Sequence, residues 1–398
     1  MKITQIYELV NDATKGILGE TEVIQEDLSN VVDVGVAIVN SDNLDNYVKK
    51  LVNHIGKVIF QERLYAGGVP SVLMDAWEYG SILEKVTAEL PDATESDSWK
   101  LTNGVDYSPD VFYQPTVSAK FFNSKTTFEI PLSFTEMQVK ESFSNANQLN
   151  GFLSMLTTSV NNSMTVKMDA LIMRTIANMI GETVYNGLTT CVPGDDPETD
   201  PDVCTTDLTG TSVKAINLLN LYNDKYATTL AADAALTDAG FIRFSTYTMG
   251  LYVDRMARIS TLFNVGGKER FTPKDLQHVV LLSDFAKASD TFLLSDAFNS
   301  DKVTLPKHET VPYWQGCGTT YDFDSVSTVN IKTSVGNVID VPGVLGVIFD
   351  RDALGVTNLD NRVTTNYNPK AEFYTNFYKF DAGYYNDLDE NFIVFFVG

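Results

Sequence analysis

The stretch from Phe152 to Ile180 contains neither glycine nor proline, and it sets Leu153, Leu156, Val160, Met164, Met168 and Leu171 at spacings of three and four. That is the period of one face of an α-helix. The preceding segment, SFSNANQLNG, offers Asn and Ser at the helix start, and Gly181 stands where the helix is expected to end. With its first turns the helix is expected over about 145–180, ~30–35 residues and ~45–50 Å at 1.5 Å per residue. That is well above the average for a globular protein.

The segments before the helix read differently. From Asp45 to Phe60, Leu51, Ile55 and Val58 recur at helical spacing and predict a short helix, and the residues ahead of it carry no strong core signal, which suits an arm lying on something else. Between Ser71 and Glu129, two limbs rich in β-branched and aromatic residues, SVLMDAWEYGSILEKVTAEL and YQPTVSAKFFNSKTTFEI, flank the polar stretch PDATESDSWKLTNGVDYSPD with its turn-forming Pro, Asp, Asn and Gly. This predicts a long β-hairpin with a wet tip. A lone ribbon is only marginally stable in water, so such a hairpin needs a neighbour.

After the helix comes an acidic loop, CVPGDDPETDPDVCTTDLTGT, whose spacing does not fit a calcium loop and which is read as solvated surface. Residues 212 to about 305 alternate: KAINLLNLYNDKY and FSTYTMGLYVDRMARISTLF are expected as helices, HVVLLSDFAKASD as a strand and TFLLSDAF as a short helix. From Thr328 onward NIKTSV, VLGVIFD, RVTTNYN, EFYTNFYKFDAGYY and NFIVFF predict strands, and a sheet of sequence-distant strands is expected to unite the chain end with the region just before the long helix.

A length of 398 residues favours two or three lobes. The 52 acidic residues outnumber the 29 basic ones, for a formal charge of -23, and no window clusters Lys and Arg. A protein that grips phosphates is thereby disfavoured. No run approaches a membrane span and the N-terminus lacks a signal-peptide core, so a soluble cytoplasmic product is expected, without membrane partners. Cys191, Cys204 and Cys317 are too few for a disulfide framework or zinc module; Cys191 and Cys204 could pair across their loop, but free thiols are the expectation.

Chemistry is hard to find. The chain lacks GxSxG, HExxH, GxxxxGK[ST] and GxGxxG patterns, and Gly266-Gly267-Lys268 has no phosphate loop before it. His54, His278 and His308 lie in separate segments without a partner at metal-ligand spacing. Asp350, Arg351 and Asp352 are read as a turn ion pair. Phe373, Tyr374, Phe377, Tyr378, Phe380, Tyr384 and Tyr385 suit strand packing or subunit contact rather than base stacking, since only Lys379 is interleaved. No catalytic, cofactor-binding or metal-binding residue, and no cofactor, is expected.

The order of these segments resembles the α+β Hong Kong 97 fold of tailed-phage major capsid proteins. EYGSILEKVTAELPDATESDSW, FEIPLSFTEMQVKESFSNANQLNGFLSMLTTSVNNSM and the run from VIFDRDALGV to NFIVFFV also look like capsid proteins of phages of gut and Gram-positive bacteria. The resemblance implies an N-terminal arm with a short helix (1–60), an extended loop formed by the hairpin with part of a peripheral domain (61–130), a peripheral domain with a spine helix (131–211), an axial domain (212–325) and a β-rich return completing both domains (326–398). It implies a non-enzymatic subunit that assembles with itself into hexamers and pentamers of an icosahedral or prolate shell in a bacterial cytoplasm. Scaffolding, portal and decoration proteins are the implied partners, and double-stranded DNA is enclosed without sequence-specific binding. Some members cross-link a loop Lys to a neighbour's Asn; Lys120 and Lys125 occupy the second limb and are read as ordinary surface lysines. Two alternatives remain: a cellular nanocompartment shell of the same fold, and a carboxylate-dependent hydrolase using acids of the inserted lobe.

Overall fold

Fourteen residues near the chain end, Phe373–Asn386, form the central strand of a three-stranded antiparallel sheet. The computed structural model describes residues 69–74, 83–137 apart from 92, 94, 108, 109, 111 and 115, then 146–192, 203–294 and 307–398. The expected arm and short helix before residue 61 lie outside them. In chain order the strands are β1 (Leu83–Ala88), β2 (Val117–Phe122), β3 (Lys125–Thr135), β4 (Thr189–Val192), β5 (Val203–Thr206), β6 (Ala215–Asn217), β7 (Gln277–Leu282), β8 (Glu309–Val311), β9 (Val329–Lys332), β10 (Val338–Val341), β11 (Val344–Asp350), β12 (Leu354–Asn368), β13 (Phe373–Asn386) and β14 (Phe392–Phe396). The helices are α1 (Ala146–Leu188), α2 (Leu218–Tyr226), α3 (Ala232–Ala235), α4 (Ala239–Met256), α5 (Ser283–Leu294) and α6 (Phe323–Ser327).

Strand β13 pairs with β12 on one side and β3 on the other, with Tyr378 opposite Val363 and Ile130. The end of the chain is thus joined to the segment before the long helix, as the β-rich return predicts. Successive residues alternate faces, so Tyr374, Asn376, Tyr378, Phe380 and Ala382 turn inward together. The aromatic run is therefore largely strand packing, with Phe128 stacked on Phe380 across the β3 pair.

Helix α1 has 43 residues, ~64 Å at 1.5 Å per residue, and does not stop at Gly181. From Leu171 to Val184 it is buried nearly all round: Ile172, Ile176, Ala177, Met179 and Ile180 are all inaccessible. Gly181 has a packing role instead of a terminating one. A Cβ at this position would collide with the Ile331 side chain of β9 and lie 3.3 Å from Ile339 of β10, so the missing side chain lets the β9–β10 hairpin lie directly on the helix. Close packing of this kind outweighs the cost of about 1 kcal/mol that glycine imposes within a helix.

A five-stranded sheet, ordered β6–β14–β11–β7–β8, separates two cores. Alternation does the dividing. Phe392, Val394 and Phe396 of β14, Val280 and Leu282 of β7, and Val347 and Phe349 of β11 join α1 in one cluster. Ile393 and Phe395, Val279 and Leu281, and Leu345 and Ile348 face the other way, into a cluster with Phe241, Met249 and Phe285 of α4 and α5. Burying a side chain such as Phe395 or Ile393 contributes about 1.5–3 kcal/mol, so burial on both faces of this sheet is a major source of stability among the described residues.

Several expected boundaries shift for local reasons. Asn217 accepts a hydrogen bond from the amide of Asn220 and caps α2, so Ala215–Asn217 are strand rather than helix. Asp238 caps α4 through the amide of Phe241, which starts that helix before Phe244; it ends at Met256, ahead of the expected Phe263. The expected strand 278–290 ends at Leu282, and α5 takes up both its remainder and the first residues of TFLLSDAF. Cys191 and Cys204, expected as free thiols, are disulfide-bonded. They are direct partners across the β4–β5 ladder, a proximity that the loop sequence alone does not reveal.

Candidate functional site

The expected hairpin forms with a shorter ladder than its limbs suggest. Six residues of β1 pair with six of β2, Leu83 opposite Phe122 through Ala88 opposite Val117, while β3 leaves the arm to join the body. The segment between, residues 89–116, is anchored by short-range contacts: Lys100 pairs with Glu95, and the Tyr107 hydroxyl accepts from the Thr102 amide. Its large apolar side chains have little cover. Trp99 is 96% exposed, Phe112 84% and Tyr113 83%, with Leu101, Val105, Val86 and Phe121 also exposed along the arm. Large apolar side chains this exposed on one hairpin make it the candidate interaction site.

Where the arm meets the body, its inner face is charged. Lys85 and Lys120, direct partners in the β1–β2 ladder, both reach Asp387 in the turn between β13 and β14, at 2.8 and 2.9 Å. Lys85 also pairs with Glu390 at 2.8 Å, Arg270 reaches Glu390 at 3.3 Å, and Lys120 pairs with Asp389. Phe122 packs on Tyr385, with ring centroids 4.9 Å apart, and completes this root.

Burial opposes charge on the Lys85 ammonium, yet the hydrogen bonds and charges of Asp387 and Glu390 lift its pKa above the ordinary lysine value. Burial likewise pushes Asp387 up, but hydrogen bonds from Lys85 and Lys120 outweigh it and hold the carboxyl below the usual aspartate value. Glu390 shares Lys85 and yet is raised: burial dominates, Lys85 and Arg270 only partly offset it, and Asp350 repels it. The two acids divide the cations unequally, and Asp387 is the one held firmly ionised.

The residues singled out in the sequence fall elsewhere. His54 lies outside the described residues. His278 and His308, remote in sequence, line one cavity of about 540 Å³ with Glu309 and Asp275. Burial lowers the His278 pKa, and among the described residues no group of three His, Cys, Asp or Glu is placed to hold a metal ion. Asp350 accepts from the Thr272 hydroxyl at 2.5 Å and the Asp352 amide at 2.9 Å, an anchored turn in place of the expected ion pair. Lys268 faces Glu89 at 3.5 Å. Lys120 is not an ordinary surface lysine but part of the charged root; Lys125 opens β3 and adds its charge to the Arg362 hydrogen bond that chiefly holds the Asp381 carboxyl low. Sequence reading missed Lys85, Arg270, Asp387, Asp389 and Glu390. The alternation of LEKVTA and the acidic turn DLDE were the only signals.

Among the described residues the β1–β2 hairpin therefore combines exposed aromatic side chains with a charged root on the body. No helix among those residues is long and apolar enough to cross a membrane. The model of the Phi29-like phage major capsid protein family matches residues 10–396, and the chain belongs to that family, a structural rather than an enzymatic one. The major capsid protein of Bacillus phage GA-1 is 26% identical over 167 residues, 40% of this chain. The match spans about a third of that relative's length, 34%. Similar solved structures include the capsid of Staphylococcus phage Andhra, at 10% identity and TM-score 0.48 over 84% of this chain and 86% of that one. Another is the capsid of cyanophage P-SCSP1u, at 9% identity and TM-score 0.49 over 84% and 89%.

Proposed function

We propose that this capsid protein builds its shell by laying the β1–β2 arm across an adjacent copy. The observation that carries the reading is the uncovered tip, where Trp99, Phe112 and Tyr113 offer aromatic area that the parent subunit leaves bare. In the Hong Kong 97 scheme the β12–β13–β3 sheet with α1 serves as the peripheral domain. The α2–α5 face of the five-stranded sheet serves as the axial domain, meeting its copies in hexamers and pentamers. The shell encloses double-stranded DNA without gripping it, consistent with the formal charge of -23. Assembly takes place in the bacterial cytoplasm with scaffolding, portal and decoration proteins as partners. A nanocompartment role is disfavoured by the family match.

The test is electron microscopy of the expressed chain, with and without its scaffold, beside a variant carrying W99S, F112S and Y113S. Native protein should give particles of defined size, and the variant should give dispersed subunits with an unchanged circular dichroism spectrum. Particles from the triple variant at native yield would overturn the assigned role of the arm.

A further inference from the structure

We propose that Asp387 is the shared catch of an electrostatic latch that fixes the angle at which the hairpin arm leaves the body. The ladder itself supplies the first reason. Lys85 and Lys120 stand directly opposite each other on β1 and β2, and like charges in that position oppose strand pairing. An anionic group between the two ammonium groups relieves that repulsion. Asp387 is that group: one of its oxygens takes Lys85 and the other Lys120.

The second reason is burial. The Asp387 side chain is only 2% exposed, and its carboxylate also accepts from the Asp389 amide at 3.1 Å. The catch is therefore rigid and belongs to the body, whereas both lysines belong to the arm. The third is that the same two lysines carry most of the remaining anchorage: Lys85 also pairs with Glu390 and donates to the Asp352 carbonyl at 3.2 Å, and Lys120 also pairs with Asp389, whereas apart from them the described root holds the Phe122–Tyr385 contact, a Tyr384 amide donating to the Ser124 carbonyl and the looser Lys268–Glu89 pair. Among the described residues Asp387 is the one acid that holds both lysines, so its loss leaves Lys85 on Glu390 and Lys120 on Asp389 with no acid shared between the two strands at the root, which loosens the arm and weakens its own ladder together. This inference rests on the arm being the assembling element, but it concerns the isolated subunit and is tested there.

Hydrogen exchange on the full chain, kept as dispersed subunits, reads the latch directly, with D387N and K120Q compared to native protein. K120Q changes a partly exposed side chain and keeps the test informative if D387N fails to fold. Amides of residues 83–88 and 117–122 should exchange faster, about tenfold in D387N and a few-fold in K120Q, while those of α1, β11 and β14 stay as protected as in native protein. Unchanged exchange at the root in K120Q and in folded D387N would overturn the proposal. So would acceleration spread equally over arm and body, which would make the cluster a general stabiliser. Particle yield, scored separately by microscopy, reports on the arm's role in assembly: loose roots with normal particles would leave the latch standing and remove its link to assembly.

Discussion

Replacing Gly181 by alanine gives opposite signs to two local effects, and their balance is calculable. Alanine in a helix interior is favoured over glycine by about 1 kcal/mol. Against this, the new Cβ collides with the Ile331 side chain and sits 3.3 Å from Ile339, an overpacking that costs about 1–3 kcal/mol in a filled core. G181A should therefore lose up to about 2 kcal/mol. I331A alone should lose about 2–3 kcal/mol, at the low end of its class because Ile331 lies in a two-stranded hairpin and keeps 7% exposure. In the double variant the added methyl enters the space that Ile331 vacates, the collision disappears and the helix preference is gained. The double variant should be at least about 1 kcal/mol more stable than the separate losses predict. The assay is equilibrium denaturation of dispersed subunits followed by circular dichroism across the four proteins. Additivity within about 0.5 kcal/mol would refute the reasoning, because a glycine that merely ended the helix would penalise alanine whatever occupied position 331.

Three further outcomes follow from other sites. Asp387, whose folded pKa is depressed, contributes stability above the ordinary aspartate range that is lost as pH falls through its folded value; Glu390, whose pKa is raised, contributes in the opposite sense, with stability present at low pH and lost as pH rises. Facing Lys85, Lys120, Arg270, Asp389 and Asp350, the root should keep its exchange protection from pH 7 to about 5 and lose it only below about 4, and D387N should abolish that acid step. A paired C191S and C204S variant should loosen the β4–β5 hairpin, whose crosslink across a 13-residue separation is worth about 3 kcal/mol in chain entropy, without lowering protection in β11 or β14; peptide mapping without reductant should show the bridge and leave Cys317 alkylated. Gly343 has φ +67° and a Cβ there would strike the Val397 carbonyl, so G343A should cost about 2–4 kcal/mol by thermal denaturation, whereas G104A, at φ +87° with open space around it, should cost only about 1–2.

How much of this was legible in the sequence depended on whether the signal was periodic. The VLGVIFD and NFIVFF strands could be read because a doubly covered sheet leaves continuous apolar runs. The long helix was recognisable from its spacing, but its end was not. Beyond Leu171 the helix is enclosed on nearly every side, so the polar stripe that would mark its continuation is absent, and a glycine chosen for Ile331 looks the same in sequence as one chosen for a turn. Asn217 illustrates the opposite failure: a helical-looking run was opened by a cap that only the parallel β6–β14 pairing makes intelligible. The charged root was the least visible feature, since Lys85 and Asp387 are 302 positions apart and each, read alone, is an ordinary surface residue.

If the arm is laid across a neighbour as proposed, its energetics account for a tip left bare on the subunit. Three large aromatic side chains bury about 150–250 Å² each, which at about 25 cal/mol per Å² is worth roughly 11–19 kcal/mol gross if all are covered. Bringing two proteins together costs on the order of 4–15 kcal/mol in lost freedom before any side chain is ordered. One arm on one neighbour is then a marginal contact, and free subunits need not stick to one another. In the closed ring proposed above each subunit would both give an arm and receive one, so the last contacts would form without a further loss of translational freedom, and the assembly would be stable although none of its contacts is. A rigid root would matter for the same reason: an arm that swung freely would lose its orientational freedom at every contact, and the proposed latch, in which Asp387 holds both Lys85 and Lys120, would restrict that freedom in the folding of the subunit, before assembly begins.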